Sequence, residues 1–279
     1  MDRVSPTLRP PGRAAMRMIW ADLGFLHWEV DAAALRPLVP DALDIDTFEG
    51  RAFVGLVPFT MRGVRPAWAP PLPWLSRFHE VNVRTYVHRK GCDPGVWFLC
   101  LEAANPVAVV IARTFWRLPY HFARMELARE GRTIRYASER RWPGPRPAAC
   151  ALRYEPVGPA SPAPVDTLEH FLVERYILYA FAGGTLLSSR VHHAPYPLQA
   201  ANVEGLDESL LAACGVARPA AAPLVHYARE VEVDVFSLQR APLTPRLTAQ
   251  KPGHSLWSLR SSAPFSRMEW PEPGKCGCP

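Results

Sequence analysis

The clearest pattern along the chain is a two-residue alternation between Phe78 and Arg89 (FHEVNVRTYVHR). On a strand, Val81, Val83, Thr85 and Val87 share one face, and Glu80, Asn82, Arg84, Tyr86 and His88 share the other. Other strand-forming runs are 51–61 (RAFVGLVPFTM), 95–103 (GVWFLCLEA), 148–156 and 230–237 (EVEVDVFS). The segments 121–129 and 132–141 predict a hairpin around Glu130-Gly131, and 176–193 predicts two strands split at Gly183-Gly184. Helical signals are fewer. Asp31 caps a short helix to Val39, with Leu35 and Leu38 inward and Pro40 stopping it. Asn105, with Pro106 in the first turn, opens a helix to about Trp116. Residues 166–173 and 207–213 predict two more, and Pro66 to Pro73 must be loop. Many antiparallel strands with a few inserted helices predict an α+β domain on a curved or closed sheet.

Composition adds limits. The chain has 279 residues, 48% hydrophobic and 21% charged, enough for a core that needs no disulfides. Residues 1–15 read as a flexible leader, 16–240 as the folded domain, and 241–279 as a Pro-rich tail with few periodic apolar positions. No signal-peptide core opens the chain, and Tyr176 to Leu187 is too short to span a bilayer. A cytoplasmic protein with no membrane partner is expected. Cys92, Cys100, Cys150 and Cys214 lie far apart with no paired spacing, which suits a reducing compartment. The net charge is +6, but only Lys90, Lys251 and Lys275 of the 32 basic residues are lysines. The arginines are scattered, so no nucleic-acid partner is expected.

The ordered segments FLHWEVDAAALRPLVPDALDIDTFEGRAFVGLVPF, FHEVNVRTYV, RTFWRLPYHFARM and HHAPYPLQ resemble the YqjF-like proteins. These are an uncharacterised bacterial family in the acetoacetate decarboxylase-like superfamily, and the resemblance covers about 16–240. It implies a single α+β domain built on a largely antiparallel conical β-barrel with a few peripheral helices and an internal pocket. It also implies a homo-oligomer and no cofactor. A more distant similarity to acetoacetate decarboxylase matches that enzyme's catalytic glutamate to Glu80, two residues after Phe78. Its Arg-Glu…Tyr-Pro-Lys-Lys motif matches Arg113-Thr114…Leu118-Pro119-Tyr120-His121. The Schiff-base lysine thus falls at Tyr120 and the second lysine at His121, while the arginine expected near the domain's start falls at about Ala21. A phenol cannot form an imine, and no other lysine is well placed, so that decarboxylation is not expected.

The candidate catalytic set is Glu80, Tyr120 and His121. A desolvated carboxyl serves as general acid or base, a histidine as base, and a phenol donates to a developing enolate. Asn82, Arg84, Arg113 and Arg140 are candidates for substrate binding, since a guanidinium matches a carboxylate. Structural alternatives stand beside each. Glu80 could pair with Arg84, and the polar face of 78–89 could be solvated. Tyr120 and His121, as strand neighbours, point to opposite faces, so only one would reach a pocket. Arg113 suits a helix C-terminus, and Arg140 suits a buried ion pair. His192-His193 lacks metal-ligand spacing, Cys276 and Cys278 form no closed site, and no metal is expected. Two functional readings follow: an acid–base enzyme, of lyase or isomerase type, for a small oxygenated or aromatic metabolite, and a non-catalytic module that binds or senses one. An oligomeric interaction protein with a vestigial pocket is a third.

Overall fold

Strand-forming runs dominate the chain, and the structure, a computed structural model describing residues 1–241, joins them into one sheet. The strands are β1 (Met16–Val30), β2 (Asp44–Ile45), β3 (Ala52–Pro66), β4 (Phe78–Arg89), β5 (Cys92–Ala103), β6 (Tyr120–Glu130) and β7 (Thr133–Trp142). They continue as β8 (Ala149–Ser161), β9 (Ile177–Ala182), β10 (Thr185–His192), β11 (Leu198–Glu208), β12 (Leu224–Val235) and β13 (Gln239–Arg240). Four short helices interrupt them: α1 (Ala32–Leu35), α2 (Pro106–Ile111), α3 (Leu168–Val173) and α4 (Leu210–Ala213). This is the sheet-dominated α+β architecture that the sequence predicts.

The pairing order β5-β6-β7-β8-β11-β12-β1-β3-β4 returns to β5 through the β4–β5 ladder, so these strands form a hydrogen-bonded ring. β9, β10 and β13 extend from β5, with β10 also touching β12, and β2 lies on β4. β5 runs parallel to β6 and to β9, and the other ladders are antiparallel. The hairpin turns at Gly131, with Glu130 opposite Thr133. The two predicted caps form as expected. Asp31 accepts from the amide of Ala33, and Asn105 from those of Val107 and Ala108. After α2 the chain widens into a π-helical turn, Ala112–Trp116, and leaves it at Arg117 with φ 55°.

Two long strands escape the sequence pattern. In β1, Ala21 to Trp28 are buried without a break, so there is no polar face to alternate with. In β11 the more buried positions include Gln199, Ala201 and Gly205, which give little apolar signal. β4 decides between two readings: its polar face is buried rather than solvated. Val81 and Val83 pack into a core with Leu26, Trp28 and Ile134, while Glu80, Asn82 and Arg84 are buried on the opposite side.

The segment expected to be a flexible leader is bonded to the sheet. Arg3 donates to both carboxylate oxygens of Asp46, at 2.6 and 2.7 Å, and Arg190 donates to the carbonyls of Pro6 and Leu8. Cys100 and Cys214, distant in sequence, come together where α4 packs on β5, with their sulfurs 2.6 Å apart. The expected tail, with Lys251, Lys275, Cys276 and Cys278, lies outside the described residues. A close approach constrains Gly95. A Cβ there would stand 2.5 Å from the carbonyl oxygen of Ile177 in the neighbouring β9. Gly95→Ala is therefore expected to cost about 1–3 kcal/mol, read as a lower urea midpoint at unchanged m. An unchanged midpoint would mean that β9 yields freely.

Candidate functional site

Inside the ring lies a cavity of about 540 Å³. Its walls are mostly apolar: Trp20 and Phe25 from β1, Phe59 from β3, Leu101 from β5, Trp116 after α2, and Tyr196. Into this lining β4 inserts Glu80, Asn82 and Arg84, and β6 contributes Tyr120. A strand places alternate residues on one side, so the pattern read from the sequence delivers three polar groups in a row.

Glu80 is 2% exposed and has Tyr120 as its side-chain partner. The Tyr120 hydroxyl donates to Glu80 Oε2 at 2.9 Å, and the Tyr136 hydroxyl holds the Glu80 backbone carbonyl at 2.6 Å. Burial pushes the Glu80 carboxyl up to about 8, although the Tyr120 hydrogen bond pulls the other way. Burial and the adjacent Glu80 push the Tyr120 phenol well above its ordinary range. At neutral pH the site therefore holds a protonated carboxyl beside a neutral phenol, in an environment that gives up or takes a proton near that pH.

Arg84 does not pair with Glu80. Its Nη2 donates to the Leu172 carbonyl at 3.0 Å, and its guanidinium lies 5.7 Å from the Phe25 ring centre and 5.8 Å from that of Tyr86. Its Nε has no hydrogen-bond partner, and neither has Oδ1 of the neighbouring Asn82. Among the described residues no carboxylate forms an ion pair with Arg84, so a cation stands in an apolar cavity with its counter-charge unfilled.

Three other candidates do not line this cavity. In the parallel β5–β6 ladder, Leu101 lies beside Tyr120 and Glu102 beside His121. Leu101 and Tyr120 face the cavity, so His121 and Glu102 face away from it. His121 Nδ1 donates to the Pro143 carbonyl at 2.9 Å, and burial pushes the imidazole down to about 4, leaving it neutral. Arg140 is spent on Glu102, with contacts at 3.0 and 2.5 Å, both side chains being fully buried. Arg113 donates to the backbone carbonyl of Tyr120 at 2.6 Å and borders a separate outer groove with Arg117 and Phe181. Its role is to fix the start of β6.

The sequence reading did not find Trp20, Trp116 or Tyr196 as cavity walls. Nothing in their local pattern separates a residue facing a cavity from one facing a filled core. The indole nitrogens of Trp20 and Trp116 are buried without partners, which adds two unused donors. His193 is clamped between Tyr176 and Tyr196, with ring centres 4.5 Å away on each side, and donates to the Ala194 carbonyl. Among the described residues no three His, Cys, Asp or Glu side chains group to hold a metal ion.

A model of the family DUF2071, described as an uncharacterized conserved protein, matches residues 17–232. The chain belongs to that family. YqjF of Bacillus subtilis (strain 168), itself described as uncharacterized, is 38% identical over 231 residues, which is 83% of this chain and 94% of YqjF. Among solved structures, the enduracididine biosynthesis enzyme MppR complexed with pyruvate is similar at TM-score 0.58 and 13% identity, covering 84% of this chain and 91% of its own. Acetoacetate decarboxylase from Legionella pneumophila is similar at TM-score 0.56 and 12% identity, covering 82% and 88%. At such identities the likeness is one of fold, the acetoacetate decarboxylase-like fold. In this DUF2071 chain Lys90 is the one lysine among the described residues, exposed in the β4–β5 turn. The cavity lining contains no lysine.

Proposed function

We propose that this DUF2071 protein holds a small, mainly apolar anion in its cavity and that Glu80, assisted by Tyr120, exchanges a proton with it. The reading rests on one observation: a proton-bearing carboxyl and an arginine without a carboxylate partner share one face of β4 inside an apolar cavity. Four residues along a strand span about 13 Å, so the ligand would be elongated, with its anionic end near Arg84. Its carbonyl or ionisable carbon–hydrogen bond would lie near Glu80, and Asn82 would contact it between the two. The reaction would be of lyase or isomerase type, without an imine. We read the closed strand circuit as the conical barrel of the superfamily, which would exclude water from the proton transfer.

A second reading follows from the mostly apolar lining: the polar residues orient a bound molecule and no reaction occurs. The first ligands to try are keto acids whose carbonyl stands several bonds from the carboxylate, with hydroxylated aromatic acids beside them, and pyruvate, named in the MppR complex, serves as the short comparison. Arg84→Met is expected to weaken binding of the acids by about ten- to a hundredfold, the worth of a charged hydrogen bond, while neutral analogues bind unchanged. Glu80→Gln is expected to keep binding and lose turnover. Equal binding of acids by wild type and Arg84→Met overturns the anion site. Turnover that survives in Glu80→Gln overturns the chemistry. Borohydride added with a keto acid should trap no adduct.

A further inference from the structure

Two segments that line the cavity also carry the three most exposed tryptophan and phenylalanine side chains among the described residues. They are the loop 67–76 (AWAPPLPWLS) and α2 with its π-helical turn. Their inner residues, Leu75, Ala108, Ile111 and Trp116 among them, line the cavity. Trp68 lines it too and is 82% exposed, while Trp74, 68% exposed, and Phe115, 67% exposed, stand in solvent outside it. The Asn105 side chain, donating to the Trp74 carbonyl at 3.4 Å, ties the loop to the start of the helix. The apolar rim and the apolar cavity are thus the two sides of the same pair of segments. An exposed aromatic patch of this kind marks an interaction surface.

The charges around it say which kind. From Met61 to His79 the charged side chains are Arg62, Arg65 and Arg77, beside His79, with no Asp or Glu. From Ala103 to Ala123 they are Arg113 and Arg117, beside His121, again with no Asp or Glu. Arg77, Arg113 and Arg117 are exposed. Among the described residues, the ion pairs of this region are those of Arg62 with Asp22 and Glu230. A second copy docked face to face would set these arginines against their equals, which opposes self-association through the rim. An anionic bilayer surface complements it in both respects. Tryptophan and phenylalanine settle at the headgroup level, and arginines meet lipid phosphates.

We propose that this rim docks on the surface of an anionic phospholipid bilayer, so that the apolar cavity is approached from the lipid side. The inference stands whether or not Glu80 does chemistry. No helix among the described residues is long and apolar enough to cross a membrane. The contact proposed is a peripheral one, made by the rim side chains at the headgroup level. Hydropathy along the chain does not reveal such a surface, because prolines interrupt the loop and the two segments meet only in the fold.

The test is flotation of the full chain with vesicles of phosphatidylcholine alone or mixed with phosphatidylglycerol. Binding is expected to the mixed vesicles, weaker to the neutral ones, and to fall with added salt. Trp68→Ser, Trp74→Ser and Phe115→Ser are each expected to weaken it by about tenfold, while Leu224→Ser, at an exposed site on the end of β12 opposite to the cavity-lining Val235, leaves it unchanged. Circular dichroism confirms that each variant is folded. Failure of the wild type to float with either vesicle overturns the proposal, as does flotation indifferent to the three substitutions. A dimer in sedimentation that these substitutions dissolve, without vesicle binding, also overturns it and assigns the rim to a second copy.

Discussion

Glu80→Gln is expected to stabilise the protein at pH 8 and above and to remove a pH dependence that the wild type shows below it. In the folded chain the carboxyl titrates near 8, and its ordinary value is 4.5. Below pH 4.5 both folded and unfolded chains hold the proton, and burial of the neutral acid is unpenalised. Between 4.5 and 8 the unfolded chain releases the proton while the folded chain keeps it, so wild-type stability falls as pH rises. Above 8 both are ionised and the loss stays constant, at roughly 5 kcal/mol. Glutamine copies the protonated acid, including an oxygen that accepts from Tyr120, and it does not titrate. The check is a series of urea denaturations from pH 5 to 9 on both proteins. Burial pushes Glu102 and Glu174 up as well, so the difference between the two curves isolates Glu80. Parallel curves would mean that Glu80 ionises freely and would remove the basis for its acid–base role.

Arg140→Met is expected to cost about 3–5 kcal/mol, because it strips Glu102 of its cation where neither side chain is more than 1% exposed, so the carboxyl must stay buried unpaired or take up a proton. The loss arises mainly from the orphaned carboxylate rather than from the worth of the pair. The double variant Arg140→Met, Glu102→Gln should therefore recover most of it, and the cycle of single and double variants gives the coupling directly. A cost below about 1 kcal/mol for the single change would show that water reaches Glu102. Ligand binding in the cavity should survive in the double variant, since both residues face away from it. This separates Arg140 from Arg84, which one inspection of the sequence puts in the same class.

What the chain reveals in advance depends on how each residue type signals its surroundings. β4 was legible because its two faces differ in polarity, and that contrast also picked out Glu80, Asn82 and Arg84. The caps Asp31 and Asn105 were legible because they act within three residues. β1 was not, since both its faces are covered and its sequence carries no alternation. Tyr120 and His121 could be placed only as a pair with one member inside. Choosing between them needed the β5–β6 register, a pairing set by contacts distant in sequence. Arg140 and Arg84 are alike in sequence, each two residues past another polar residue on a strand. Only the fold shows that one meets Glu102 and the other meets no acid. The Cys100–Cys214 approach was likewise invisible, because α4 and β5 are brought together by packing alone.

The strands that terminate the pairing order, β2 and β13, are each two residues long. Another border is longer: β5 covers β6 only at Tyr120–Phe122, so among the described residues Ala123–Glu130 pair with β7 alone. A sheet offers its unpaired amides and carbonyls for recruitment by other chains along such a stretch. Here Arg124, Glu126, Arg129 and Glu130 set charges along it, which discourages a neighbour from laying a strand there.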